Sequence, residues 1–102
     1  MQVEFFTDKI LKYTKTLDRE TCDHIIHLLD ILKDYGANIR MPYSKPIGGG
    51  IFELRATGKT NVRFLYCFHK DSAIILHLFI KKQNKLNIKD ILIARKRKEI
   101  LA

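Results

Sequence analysis

The chain has 102 residues, 46% of them apolar, and a formal charge of +8. That apolar content can fill the core of one domain, residues 1–102, and argues against wholesale disorder. No apolar run reaches the roughly 18 residues that span a bilayer, and no basic start leads into an apolar stretch, so a cytoplasmic protein without membrane association is expected. The charge is segregated. Residues 1–39 carry five basic and seven acidic side chains, whereas residues 40–102 carry fourteen and four. A field concentrated on the second half is what steers a surface toward phosphates; the competing reading is that lysines merely keep a small protein soluble. Cys22 and Cys67 have no metal or redox spacing and read as reduced, partly buried thiols.

Val3 and Phe5 begin a short first strand. Phe6, Ile10, Tyr13 and Leu17 then recur at helical spacing. Asp18 is placed to cap a second helix whose stripe is Cys22, Ile25, Ile26, Leu29 and Leu32, widened by Leu28 and Ile31 and stopped by Gly36. The two helices form a hairpin that needs a sheet to cover. Residues 37–50 hold both prolines and three of the five glycines and read as an irregular connection. A phosphate-cradling loop is not expected there, because a strand follows the glycines where a helix would be needed.

Three strand-like segments follow, IFELRA, NVRFLYCF and AIILHLFIKK, with turns at Gly58-Lys59 and Lys70-Asp71. Strict alternation puts Phe52, Leu54 and Ala56 opposite Glu53 and Arg55, and Val62, Phe64, Tyr66 and Phe68 opposite Arg63, Leu65 and Cys67. In the last strand it groups Ile74, Leu76, Leu78 and Ile80 against Ile75, His77, Phe79 and Lys81. With the apolar sets on the helical hairpin, the second face collects Arg55, Arg63, His77 and Lys81. Ile88 to Leu101 reads as a helix with apolar Ile88, Ile91, Leu92 and Ile100 and a basic block, Arg95 to Lys98. The expected class is α+β: a first strand and αα-hairpin packed on an antiparallel meander, with a basic C-terminal helix.

This order, with KPIGGGIFELRA (45–56), VRFLYCF (62–68) and ILHLFIKKQNKLNIKDILIARKR (75–97), resembles the RelE/ParE toxin superfamily, and within it the HigB-like, phage-derived branch. The resemblance implies a RelE-like fold and the toxin of a toxin–antitoxin module. It further implies a ribosome-dependent mRNA endoribonuclease needing no metal or cofactor, with a cognate antitoxin, the ribosome and mRNA as partners. ParE-type relatives instead inhibit gyrase, and a non-catalytic RNA- or partner-binding relative is a third possibility.

Metal-free RNA cleavage needs a base for the 2′-hydroxyl, charge stabilisation for the phosphorane and a proton donor for the leaving oxygen. Arginine suits the second task. The resemblance places Arg55 and Arg63 at the scissile phosphate and Lys81 or Lys82 beside it, with Gln83 at the same strand end. Arg55 has a competing role in an ion pair with Glu53 or Asp71. His77 is the acid/base candidate by its ordinary pKa, or else a hydrogen-bonded packing residue. Phe79 is a packing or antitoxin-contact residue before it is a platform for a base, and Tyr66 is core. Lys45, Lys59, Lys85 and the Arg95, Lys96, Arg97 and Lys98 block are expected on the RNA backbone. Two departures from the family pattern stand out. The final KRKEILA contains no tyrosine or histidine for proton transfer, and Glu53 occupies a place where some relatives have lysine.

Overall fold

The computed structural model describes residues 1–101. Five strands, β1 (Gln2–Phe5), β2 (Ser44–Gly48), β3 (Ile51–Ala56), β4 (Val62–His69) and β5 (Ser72–Ile80), form one sheet in the order β1-β5-β4-β3-β2. Helices α1 (Asp8–Thr14) and α2 (Arg19–Tyr35) lie on one face and α3 (Ile88–Ile100) on the other. The α+β class expected from the sequence is the class observed. Strands β2 to β5 are the antiparallel meander, and β1 joins its far edge parallel to β5.

The face under α1 and α2 is largely apolar. Leu54, Phe64 and Leu78 are aligned across three strands, as are Ala56, Val62 and Ile80. Ile10, Ile25, Leu28 and Leu32 close over this face from the helices. Asp18 caps α2 as its position suggested, accepting from the Thr21 backbone N–H at 3.0 Å and the Thr21 hydroxyl at 2.7 Å. Thr60, in the β3–β4 turn, donates its backbone N–H to the Thr21 hydroxyl at 3.1 Å and its own hydroxyl to Asp18 at 3.2 Å. The cap therefore also pins the turn. Hydrogen bonds to the charged form hold the Asp18 carboxyl below its ordinary value, the one from the Thr21 backbone most strongly. At the other end Gly36 has φ 54, a left-handed conformation that glycine adopts without a Cβ penalty.

Three expectations are corrected. Residues 37–50 are not wholly irregular: after a 3-10 turn at Gly36–Asn38, Ser44–Gly48 pairs with β3 as an edge strand. Pro46 fits because an edge strand has one side with no ladder to serve. The inward stripe of α2 is Thr21, Ile25, Leu28 and Leu32, spaced four, three and four, which leaves Ile26 exposed. Finally, β5 does not alternate strictly. Leu65 faces His77 while Tyr66 faces Ile75, so Leu76 is an extra residue in a bulge. Ile75 thereby joins Leu78 and Ile80 on the helical-hairpin face, and Ile74 and Leu76 pack under α3.

Candidate nucleic-acid interface

The second face of the sheet carries two transverse rows. One runs Lys45, Glu53, Leu65, His77 from β2 to β5, and the next runs Arg55, Arg63, Phe79. Arg55, Arg63 and His77 thus share a face, as alternation required. The bulge lies before His77, so it left this part of the grouping intact.

Arg55 donates its backbone N–H to Tyr43 at 2.9 Å, on the side away from β4. The Arg55–Arg63 pair is therefore of the non-hydrogen-bonded kind, in which opposed side chains approach most closely. Like charges directly opposed are unfavourable unless an anion joins them. Glu53 supplies an anion to Arg55 alone. It is 1% exposed, and its Oε1 accepts from Arg55 Nε at 2.9 Å. Its other oxygen has no partner among the described residues. The ion pair with Glu53 weighed for Arg55 is thus present, but under the surface and not on it. The signal available in the sequence was an acid two residues before an arginine in a strand, which puts both on one face.

Arg63 is different. It is 9% exposed and makes no ion pair among the described residues. One Nη donates to the carbonyl of the preceding Val62 at 3.2 Å, and its Nε–H has no partner among the described residues. Burial pushes its pKa below the ordinary arginine value; Glu53 opposes that shift and Arg55 adds to it. The guanidinium stays charged. It lines a recess of about 330 Å³ with Asn61, Lys81, Lys82, Gln83 and Asn84. Lys81, Lys82 and Gln83 also line an adjoining recess of about 220 Å³ reaching Lys85 and Asp90. Lys81 is held at the strand end by its backbone N–H on Asn61 at 2.9 Å. The structure therefore brings Arg63, Lys81, Lys82 and Gln83 together, and adds Asn61 and Asn84, which the sequence reading passed over.

The remaining candidates are distributed elsewhere. His77 Nε2 lies 2.7 Å from Asp90 on α3, and its ring stacks on Phe79 at 6.0 Å between centroids. It does not line the Arg63 recess. Arg97 donates to the Leu76 carbonyl at 2.7 Å and sits over the Phe6 ring at 5.4 Å. These contacts, with buried Ala94 and part-buried Leu101, dock α3 through positions 90, 94, 97 and 101. The predicted apolar positions Ile88, Leu92 and Ile100 point to solvent instead. Lys98 passes close to Gly50 and to Cys67, whose thiol is pushed up by burial and pulled down by that lysine. Arg95 and Lys96 are exposed, as are Lys45 on β2 and Lys59. Lys59 sits in the turn whose neighbour Gly58 abuts Thr21 and His24 of α2, and does not line the recess. Tyr66 is core as expected, hydroxyl to hydroxyl with Ser44 at 2.6 Å on the helical-hairpin face.

The fold and site together define a small basic α+β protein, a sheet covered by two helices on one face and one on the other, with a cationic recess at the ends of its central strands. Residues 12–99 match the family of phage derived protein Gp49-like (DUF891), and the chain belongs to that family, a phage-derived group associated with RelE/toxin-like proteins. No curated protein matches it. Among the described residues no helix is long and apolar enough to cross a membrane.

Proposed function

We propose that this toxin-like protein is the toxin of a type II toxin–antitoxin pair, of the HigB-like branch, and cuts mRNA on the translating ribosome without a metal or cofactor. The observation that carries this reading is Arg63, a desolvated cation with a spare N–H beside Lys81, Lys82 and Gln83. Such a group costs stability until an anion completes it, and a phosphodiester is an anion whose paired oxygens match the guanidinium fork. Arg63 would hold the scissile phosphate and the developing phosphorane, with Lys81 and Lys82 adding charge from the strand end. Arg55 would act through Glu53, which holds it in place against Arg63. Exposed Arg95 and Lys96 would contact the RNA backbone, and an acidic antitoxin segment would neutralise the same charge.

A second reading, a non-catalytic RNA- or partner-binding relative, is favoured by one feature. Among the described residues the recess around Arg63 is lined by cations and amides only, and the His77 imidazole on the same face is engaged by Asp90. One experiment separates the readings. Purified protein is added to a translating extract with a defined message, and cleavage is mapped by primer extension. Cleavage that falls on the order of 100-fold in Arg63→Met supports the nuclease reading. The variant should stay folded, neutral or stabilised by about 1 kcal/mol, because it removes an uncompensated buried charge. Intact message with blocked DNA supercoiling selects gyrase inhibition, and intact message with RNA retained on the protein selects the binding module.

A further inference from the structure

Among the described residues, the half of β5 beyond the bulge has no strand on its outer side. β1 stops pairing at Phe5 opposite Ile75, with a last bond from the Phe6 N–H to the Ile75 carbonyl at 2.9 Å. The Leu76 carbonyl at the bulge is taken by Arg97. From His77 to Ile80 the edge faces a groove of about 670 Å³ whose other wall is α1.

Backbone phase fixes what this edge offers. The Lys81 N–H bonds to Asn61 on the β4 side. Phe79 and His77, two and four residues earlier, therefore also turn their N–H and C=O groups toward β4. Leu78 and Ile80 turn theirs outward into the groove. Two N–H donors and two carbonyl acceptors, at strand spacing, await a ladder.

The geometry points to this edge as a docking site for an extended, acidic segment of a partner protein, added as a strand between β5 and α1. Three features define that occupant. The alternating donors and acceptors match another peptide backbone, whereas a nucleic acid has no repeating donor for the carbonyls. Lys9, Lys12 and Arg97 rim the groove against the single acid Asp8, so carboxylates are favoured. A second copy of this chain would set the same lysines against each other. Side chains on one side of the added strand would meet Ile10 and Tyr13 of α1, and those on the other His77 and Phe79. The inference stands on the sheet edge and its charges, and not on the nuclease reading.

The test uses the whole chain and an eight-residue capped peptide alternating valine and glutamate, with backbone amide exchange followed by NMR. Exchange at Leu78 and Ile80 should slow by at least about 10-fold with the peptide, while Phe79, already bonded to β4, changes little. Methylating alternate peptide nitrogens should abolish the effect, and Lys9→Glu with Lys12→Glu should weaken binding about 10-fold. Ile80→Pro removes an outward N–H without touching the β4 ladder, trims some Ile80 packing on the helical-hairpin face, and should lose binding with its fold retained. The proposal is overturned by no binding at millimolar peptide, or by binding that leaves the Leu78 and Ile80 amides unchanged. Equal binding of a valine–lysine peptide, protection by a uridine octamer instead, or self-association through this edge would overturn it as well.

Discussion

The two faces of one sheet are held by different physics. Under α1 and α2 the contacts are mostly apolar, and outside the β5 bulge the buried positions follow the 2-residue and 3.6-residue periods. Under α3 the helix is fastened by a His77–Asp90 pair, a guanidinium on the Leu76 carbonyl and one buried alanine, while three of its large apolar residues stay in water. Beyond α3, that same face keeps a buried acid and two opposed arginines. The first face carries stability; the second spends some of it to keep charge available.

Perturbations of decreasing size separate the two. Phe64, fully buried in the apolar face, should cost about 3–5 kcal/mol as Phe64→Ala in denaturant unfolding. Glu53→Ala leaves Arg55 without its ion-pair partner and still opposed to Arg63. With Arg55 a quarter exposed, the expected loss is about 3 kcal/mol, the low end for a broken buried pair. A loss as small as that of a surface substitution would mean that Glu53 does not hold Arg55. His77→Asn should cost only about 1 kcal/mol globally, but α3 amides should exchange faster while those of α2 do not. If both helices loosen equally, α3 is not separately fastened.

The smallest effect is pH-dependent. The Asp18 carboxyl is held below its ordinary value of 3.8, so it binds its proton less readily in the folded state than in the unfolded one. Its stabilisation is complete above the ordinary value and is lost as the pH falls through the lower folded one. The melting temperature of the parent should therefore exceed that of Asp18→Asn at neutral pH, with the gap closing below pH 3.8.

Legibility differed element by element. Asp18 and Gly36 announced the ends of α2 because caps are local chemistry. Arg55 and Arg63 could be put on one face because alternation is local too. The bulge at Leu76 could not be foreseen, since an extra residue in one strand is defined only by its partner. The solvent exposure of Ile88 and Leu92 was hidden for a related reason: α3 is oriented by Asp90 and Arg97 reaching β5, and such anchors leave no apolar period to read. Glu53 looked like one more surface acid, and only its neighbours on β2 and β4 bury it.

What residue order determined alone is the set of short-range choices: where helices begin and end, which side chains leave a strand together, and which half of the chain is cationic. These depend on backbone geometry and capping within a few residues. Only the folded sheet decided which cations lack a counterion, which carboxylate lies beneath them and which strand edge is left unpaired. Each of those is a relation between segments distant in the chain, set by register and by what packs on top, and no local pattern encodes it.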